Sequence, residues 1–126
     1  MIVSYKEKFK QKIIDGIKKH TLRTKSKRLY KPGGLLHMST GVRTKNQNMF
    51  QRSECKSVQQ VEMHLLSQIN QLIIIVDGVI LHDKTVIEFI KNDGFDFRED
   101  FIEWFFSDSK VWEGECIHWT KLKYGF

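Results

Sequence analysis

An α+β domain with mostly antiparallel strands is the fold this chain predicts, and three observations carry that expectation. A helical pattern comes first, several strand-like segments follow, and two helical patterns precede a final alternating segment; this order favours antiparallel pairing over a doubly wound parallel sheet. Asp77-Gly78 stands between the apolar runs Leu72–Val76 and Val79–Leu81, the composition of a tight type I′ hairpin, whose central residues need positive φ. At 126 residues, 40% hydrophobic and 12% aromatic, the chain has the size and apolar content of one domain, residues 1–126, with a packed interior.

The elements follow in order. Phe9, Ile13 and Ile17 recur every four residues with lysines between them, which predicts a helix from about Tyr5 to Asp15. Ser4 with Glu7 three residues on reads as its capping box, and Gly16 stops it, because glycine takes the left-handed conformation at little cost. Thr21-Leu22-Arg23 then leaves in an extended segment. Pro32-Gly33-Gly34 is a turn signature before Leu35 to Thr40, which has the length of a strand. Gly41 to Arg52 is polar and basic, an exposed loop or hairpin arm. Val61, Met63 and Leu65 alternate with Glu62 and His64, so about Cys55 to Leu65 reads as a strand with one solvated face. Asp83 caps a helix from Lys84 to about Lys91, which Asp93-Gly94 ends. Asp96 and Glu99 form another capping box, and Phe97, Phe101, Trp104 and Phe105 share one face of the helix that follows. After the polar stretch Ser107 to Lys110, the alternation of Cys116, His118 and Thr120 suits a closing strand.

Charge divides the chain more sharply than its net +6 suggests. Residues 1–56 hold fifteen Lys/Arg against three Asp/Glu, while residues 57–126 hold six against twelve, giving +12 and −6. A positive field on one side attracts polyanions and speeds encounter with them. Two cysteines, Cys55 and Cys116, show neither a disulfide framework nor a metal-binding spacing. The five histidines form no close ligand pair; Cys116 and His118 would share a strand face as a packed pair. The N-terminus lacks the pattern of a signal peptide, and the longest apolar stretch, Leu72 to Val76, is far too short to span a bilayer. A cytoplasmic, reducing location, no membrane partner, no metal and no cofactor are the expectations.

Chemistry concentrates in Gly16-Ile17-Lys18-Lys19-His20-Thr21-Leu22-Arg23. Lysine offers a mobile point charge, arginine a planar fork for two oxygens and threonine a hydroxyl, a set suited to phosphate. Cations in a last helical turn also simply satisfy the carbonyl end of that helix. Tyr30 and Phe50 lie in basic, turn-rich segments, where a ring either stacks on an unpaired base or anchors its loop.

The spacing Gly16-x-Lys18-x-x-Thr21-x-Arg23 resembles the signature of ASCH domains, a group related to PUA-like RNA-binding barrels, of bacterial or phage type. An initial strand and helix precede it; Pro32-Gly33-Gly34-Leu35-Leu36-His37, Val76-Asp77-Gly78, Asp93-Gly94-Phe95, Phe101 to Phe105 and Ile117-His118-Trp119 continue the order over nearly the whole chain. The resemblance implies a small PUA-like β-barrel of mostly antiparallel strands with flanking helices, and a basic cleft that binds RNA, another nucleic acid, or a nucleoside or nucleotide. Lys18, Lys19, Thr21, Arg23, Arg28, Arg43 and Lys45 are the expected ligand-binding residues, with Lys45 on the nucleic-acid backbone. Some small ASCH proteins are amidohydrolases of acetylated cytidine. Carried over, their catalytic set gives Lys18 as general base, Thr21 as nucleophile and a later acidic residue, Asp93 first and Glu88 second. The basic stretch Gly41 to Arg52, which a nucleoside-sized substrate does not need, favours a polymer ligand.

Overall fold

The computed structural model describes residues 1–25 and 30–125. The chain runs β1 (Ile2–Tyr5), α1 (Glu7–Ile14), β2 (His20–Arg23), β3 (Leu35–Thr40), β4 (Asn48–Glu54), β5 (Ser57–Leu66), β6 (Gln71–Val76), β7 (Val79–Ile80), α2 (Asp83–Asn92), α3 (Arg98–Phe106) and β8 (Val111–His118). Two sheets form, one in the order β1-β3-β4 and the other β2-β8-β5-β6-β7. Only β1 and β3 pair in parallel among the described residues; every other pair is antiparallel. The α+β class is therefore as expected. Among those residues the strand hydrogen bonds leave two separate sheets and do not close them into one barrel.

Burial follows the alternation that the sequence shows. In β5, Val61, Met63 and Leu65 are buried while Glu62 and His64 between them are not. This strand is central, pairing β6 on one side and β8 on the other. Met38, Met63, Ile74, Phe89, Phe101 and Ile117 are fully buried, so β3, β5, β6, β8 and the two later helices share one core. Asp77 and Gly78 take φ of +49° and +82°, as the β6–β7 hairpin requires.

The first helix is shorter than its periodicity suggests. Tyr5 ends β1, which the resemblance expects and the periodicity hides, and α1 begins at Glu7. Ser4 sits opposite Ser39 in the β1–β3 register and its side chain caps nothing; Lys6 occupies the cap position. The other two expected caps also fail. Asp83 is the first residue of α2, with His82 before it. Helix α3 starts at Arg98, and Asp96 instead meets Lys12 at 2.9 Å. Of the aromatic face expected there, Phe101 is fully buried but Phe97 is 65% and Trp104 43% exposed. The closing strand β8 begins at Val111, earlier than its alternation suggests, and ends before Trp119 and Thr120.

Two local features position the site. Gly16 ends α1 at φ +76°, and the next residues fold back so that Ile17 and Lys18 N–H both reach Lys12 O. The Lys19 N–H then donates to Asn92 O at 2.7 Å, which fastens this turn to the end of α2. Gly94 follows α2 at φ +97°, and a Cβ there would lie 3.0 Å from Lys18 Cδ and 3.1 Å from Phe9 Cδ1. Any larger residue would suffer both the backbone penalty and the crowding.

Candidate functional site

A cavity of about 560 Å³ opens where β1, α1, β2 and the end of α2 converge. Tyr5 and Phe9 form one wall, Thr21 and Arg23 another, and Lys18 and Asp93 meet within it. Gly41 and Val42, from the loop joining β3 to β4, and Trp104 of α3 complete its lining.

Lys18 is 3% exposed. Its Nζ donates to the backbone oxygen of Asp93 at 2.5 Å and lies 3.4 Å from Asp93 Oδ1, while the Phe9 ring sits 4.9 Å away. This lysine does satisfy a helix carbonyl end, but that of α2, not of its own α1; Lys12 supports the same turn by donating to Gly94 O. Burial pushes the Lys18 pKa below the ordinary lysine value, Asp93 opposes that shift and Arg23 adds to it. Two N–H groups directed at Asp93 leave one tetrahedral position on Nζ, a proton in the ammonium and a lone pair in the amine.

Thr21 and Arg23 alternate with His20 and Leu22 along β2. Arg23 Nε donates to Thr21 Oγ1 at 3.3 Å, one terminal nitrogen donates to Ser4 O at 2.6 Å, and the guanidinium lies 5.0 Å from the Tyr5 ring. Among the described residues no hydrogen bond joins Lys18 to Thr21; the hydroxyl is held by Arg23. The His20 ring packs instead among Phe89, His118 and Tyr124. Its Nδ1 is 3.2 Å from Asp93 Oδ1 and its Nε2 2.6 Å from the Tyr124 hydroxyl. Burial lowers the His20 pKa, so the ring is neutral.

Of the residues expected from the sequence, Lys18, Thr21, Arg23 and Asp93 line one cavity. Glu88 is exposed on α2 and does not; the acidic side chain beside Lys18 is that of Asp93. Lys19 is exposed and turned out, contributing its backbone N–H to the frame. Arg43 and Lys45 are exposed on the β3–β4 loop, next to the Gly41–Val42 edge but not in the cavity. Arg28 lies outside the described residues. Tyr30 and Phe50 pack against the core, Phe50 edge-on to Tyr5 at 6.3 Å, which favours the anchoring role.

Sequence reasoning missed Tyr5, Phe9 and Trp104 as walls, and Tyr124, Gln59 and Asn92 as interior partners. It also missed a histidine pair. The β2–β8 register sets His20 opposite His118, with ring centroids 5.2 Å apart. Gln59 Nε2 donates to Asp77 Oδ2 and to Tyr124 O, which turns Gln59 Oε1 toward His118 Nε2 at 3.0 Å and makes that nitrogen the donor. Among the described residues, no group of three or more His, Cys, Asp or Glu side chains is placed to hold a metal ion, and no helix is long and apolar enough to cross a membrane.

Comparison with family models, curated proteins and solved structures finds no match to this chain.

The two buried imidazoles tie stability to pH. Burial pushes the His118 pKa down to about 3, with His20 and Lys123 adding to the shift. Because the folded pKa lies below the unfolded value, the unfolded chain takes up a proton first as pH falls. Stability from this group is thus complete above about pH 6.5 and is lost toward pH 3, by at most ~1.4 kcal/mol per pH unit. Urea unfolding of wild type and His118→Gln at pH 7 and pH 5 should show a shallower acid loss in the variant; equal losses would contradict a neutral, buried His118.

Proposed function

We propose that this chain is an ASCH-like, PUA-like domain that binds RNA or a nucleotide, taking one nucleoside-sized unit into the cavity. The convergence of Lys18, Thr21 and Arg23 on one aromatic-walled cavity carries this reading. A volume of about 560 Å³ falls within the range of roughly 300–1,000 Å³ usual for small-molecule sites. Trp104 and Tyr5 give the cavity aromatic lining, the kind of surface against which a base packs. Arg23 offers a fixed fork to an anionic oxygen.

The charge distribution supports a polymer ligand. The +12 segment includes Arg43 and Lys45 on the loop whose base edges the cavity, so a strand with one nucleotide inside has cations along its next phosphates. The PUA-like barrel belongs to the same reading, with the two sheets and flanking helices as an open version of that architecture.

A second reading, amidohydrolase action on acetylated cytidine, is favoured by one observation. A buried lysine with a lowered pKa shares a cavity with a threonine hydroxyl held by an arginine. In that reaction Thr21 Oγ attacks the acetyl carbon as Lys18 takes the hydroxyl proton, and the proton passes to the departing cytidine amine. Water then releases acetate from the threonine ester, restoring the hydroxyl. Arg23 stabilises the charge that develops near Thr21.

Fluorescence titration of single-stranded RNA at several salt concentrations tests the first reading. Affinity should fall steeply with salt, and Arg43→Ala with Lys45→Ala should reduce the log–log slope by roughly 1–2; weak, salt-independent binding would overturn it. For the second, incubation with acetylated cytidine should yield cytidine and acetate, with Thr21→Ala slower by about a hundredfold or more. No turnover removes hydrolysis, and turnover indifferent to Thr21→Ala removes Thr21 as its nucleophile.

A further inference from the structure

Asp93 meets two partners through one oxygen. Oδ1 lies 3.4 Å from Lys18 Nζ and 3.2 Å from His20 Nδ1. Beyond the imidazole, His20 Nε2 is 2.6 Å from the Tyr124 hydroxyl, which receives Asn92 Nδ2 at 3.1 Å. All three central groups are deep in the protein, with His20 0%, Asp93 2% and Tyr124 6% exposed.

The direction of each hydrogen bond follows from what its ends can do. An amide nitrogen only donates, so the Tyr124 oxygen accepts from Asn92 and has its own proton to give. Given to His20 Nε2, that proton leaves N–H on Nδ1, facing a carboxylate that accepts. The reverse tautomer would set an imidazole lone pair against the carboxylate between two almost fully buried groups. The tyrosine cannot easily move, because Gln59 Nε2 donates to its backbone oxygen at 2.6 Å and Gln59 Oε1 accepts its N–H at 2.9 Å.

We propose that His20 and Tyr124 are positioning residues for Lys18: Tyr124 holds His20 in the neutral Nδ1–H tautomer, and His20 holds Asp93 as the carboxylate on which the Lys18 amine rests. The proposal builds on the reading of Lys18 as a group that meets the ligand, and names what governs its proton. Other titratable groups face this network from three strands and one helix: Tyr5 of β1, Arg23 of β2, Cys116 and His118 of β8, and Glu88 of α2 beside Tyr124. Tyr5 and Cys116 are held protonated by burial and His118 is neutral, so Arg23 is the charge that competes with Asp93 for influence on Lys18. Among the described residues, His20 and Lys18 are the side chains that donate to the Asp93 carboxylate.

Nitrogen-15 NMR of imidazole and lysine side chains in the ligand-free protein tests this directly. Wild-type His20 should remain neutral in the Nδ1–H form between about pH 5 and 8, where an ordinary imidazole titrates. In Tyr124→Phe the Nε2–H form should appear, and the Lys18 midpoint should fall by about one pH unit, a roughly tenfold change in proton affinity. An Nε2–H or protonated His20 in the wild type would overturn the proposal, and that measurement stands even if the variant does not fold. A variant with a lowered melting temperature but the same tautomer and the same Lys18 midpoint would reduce Tyr124 to a packing residue. Because no ligand is present, a failure to bind RNA or to hydrolyse acetylated cytidine leaves these spectra unaffected, so the two readings fail separately.

Discussion

The contact between Lys18 and Asp93 is the constraint around which the site is arranged. An amine and a carboxyl group at 3% and 2% exposure would each be costly alone, and removing one partner of such a buried pair typically costs about 3–5 kcal/mol. Four local features bring them together. Gly16 turns the chain out of α1, Lys19 N–H fastens that turn to Asn92, Gly94 keeps the space beside the Lys18 stem clear, and the β2–β8 register fixes the strand that follows. Lys18 also closes the carbonyl end of α2, so one side chain both terminates a helix and lines the cavity.

Around that pair the protein separates two kinds of cation. Lys18 and Arg23 are enclosed or half-enclosed and geometrically held, whereas Lys19, Arg43 and Lys45 are exposed. Held cations give orientation because their hydrogen-bond directions are fixed; exposed ones give attraction that salt screens. The carbonyl ends of α1 and α2 lie close by and are unfavourable to an anion, so under the proposed function a phosphate would be met by side chains, and Arg23 has a fork directed by only two protein contacts.

Much of the architecture was legible because its signals are local. Val61, Met63 and Leu65 alternate over a long strand, and Asp77-Gly78 supplies the positive φ of a hairpin. Strand β1 was hidden because Tyr5, Phe9 and Ile13 fall four residues apart and are all buried, so a strand residue completed a helical stripe. The capping boxes failed for a tertiary reason: Ser4 lies in a strand register and Asp96 is taken by Lys12. The start of β8 was obscured by Glu113, Gly114 and Glu115, which interrupt the apolar period while the backbone pairs with β5. Within the site, Lys18, Thr21 and Arg23 stand out as a local basic cluster, whereas Asp93 was named only through the ASCH resemblance. Tyr124 could not, since its partner His20 is 104 residues away and no local pattern joins them.

Under the proposed function, Lys18, Thr21 and Arg23 face a nucleoside-sized ligand above the Lys18–Asp93 contact. A crystal structure of the protein with a nucleoside monophosphate tests it most directly. The base should lie inside the cavity against Tyr5 or Trp104, with polar contacts from Lys18, Thr21 or Arg23 and the Lys18–Asp93 contact intact. A nucleotide bound elsewhere on the surface, with the cavity empty or Lys18 parted from Asp93, would contradict it.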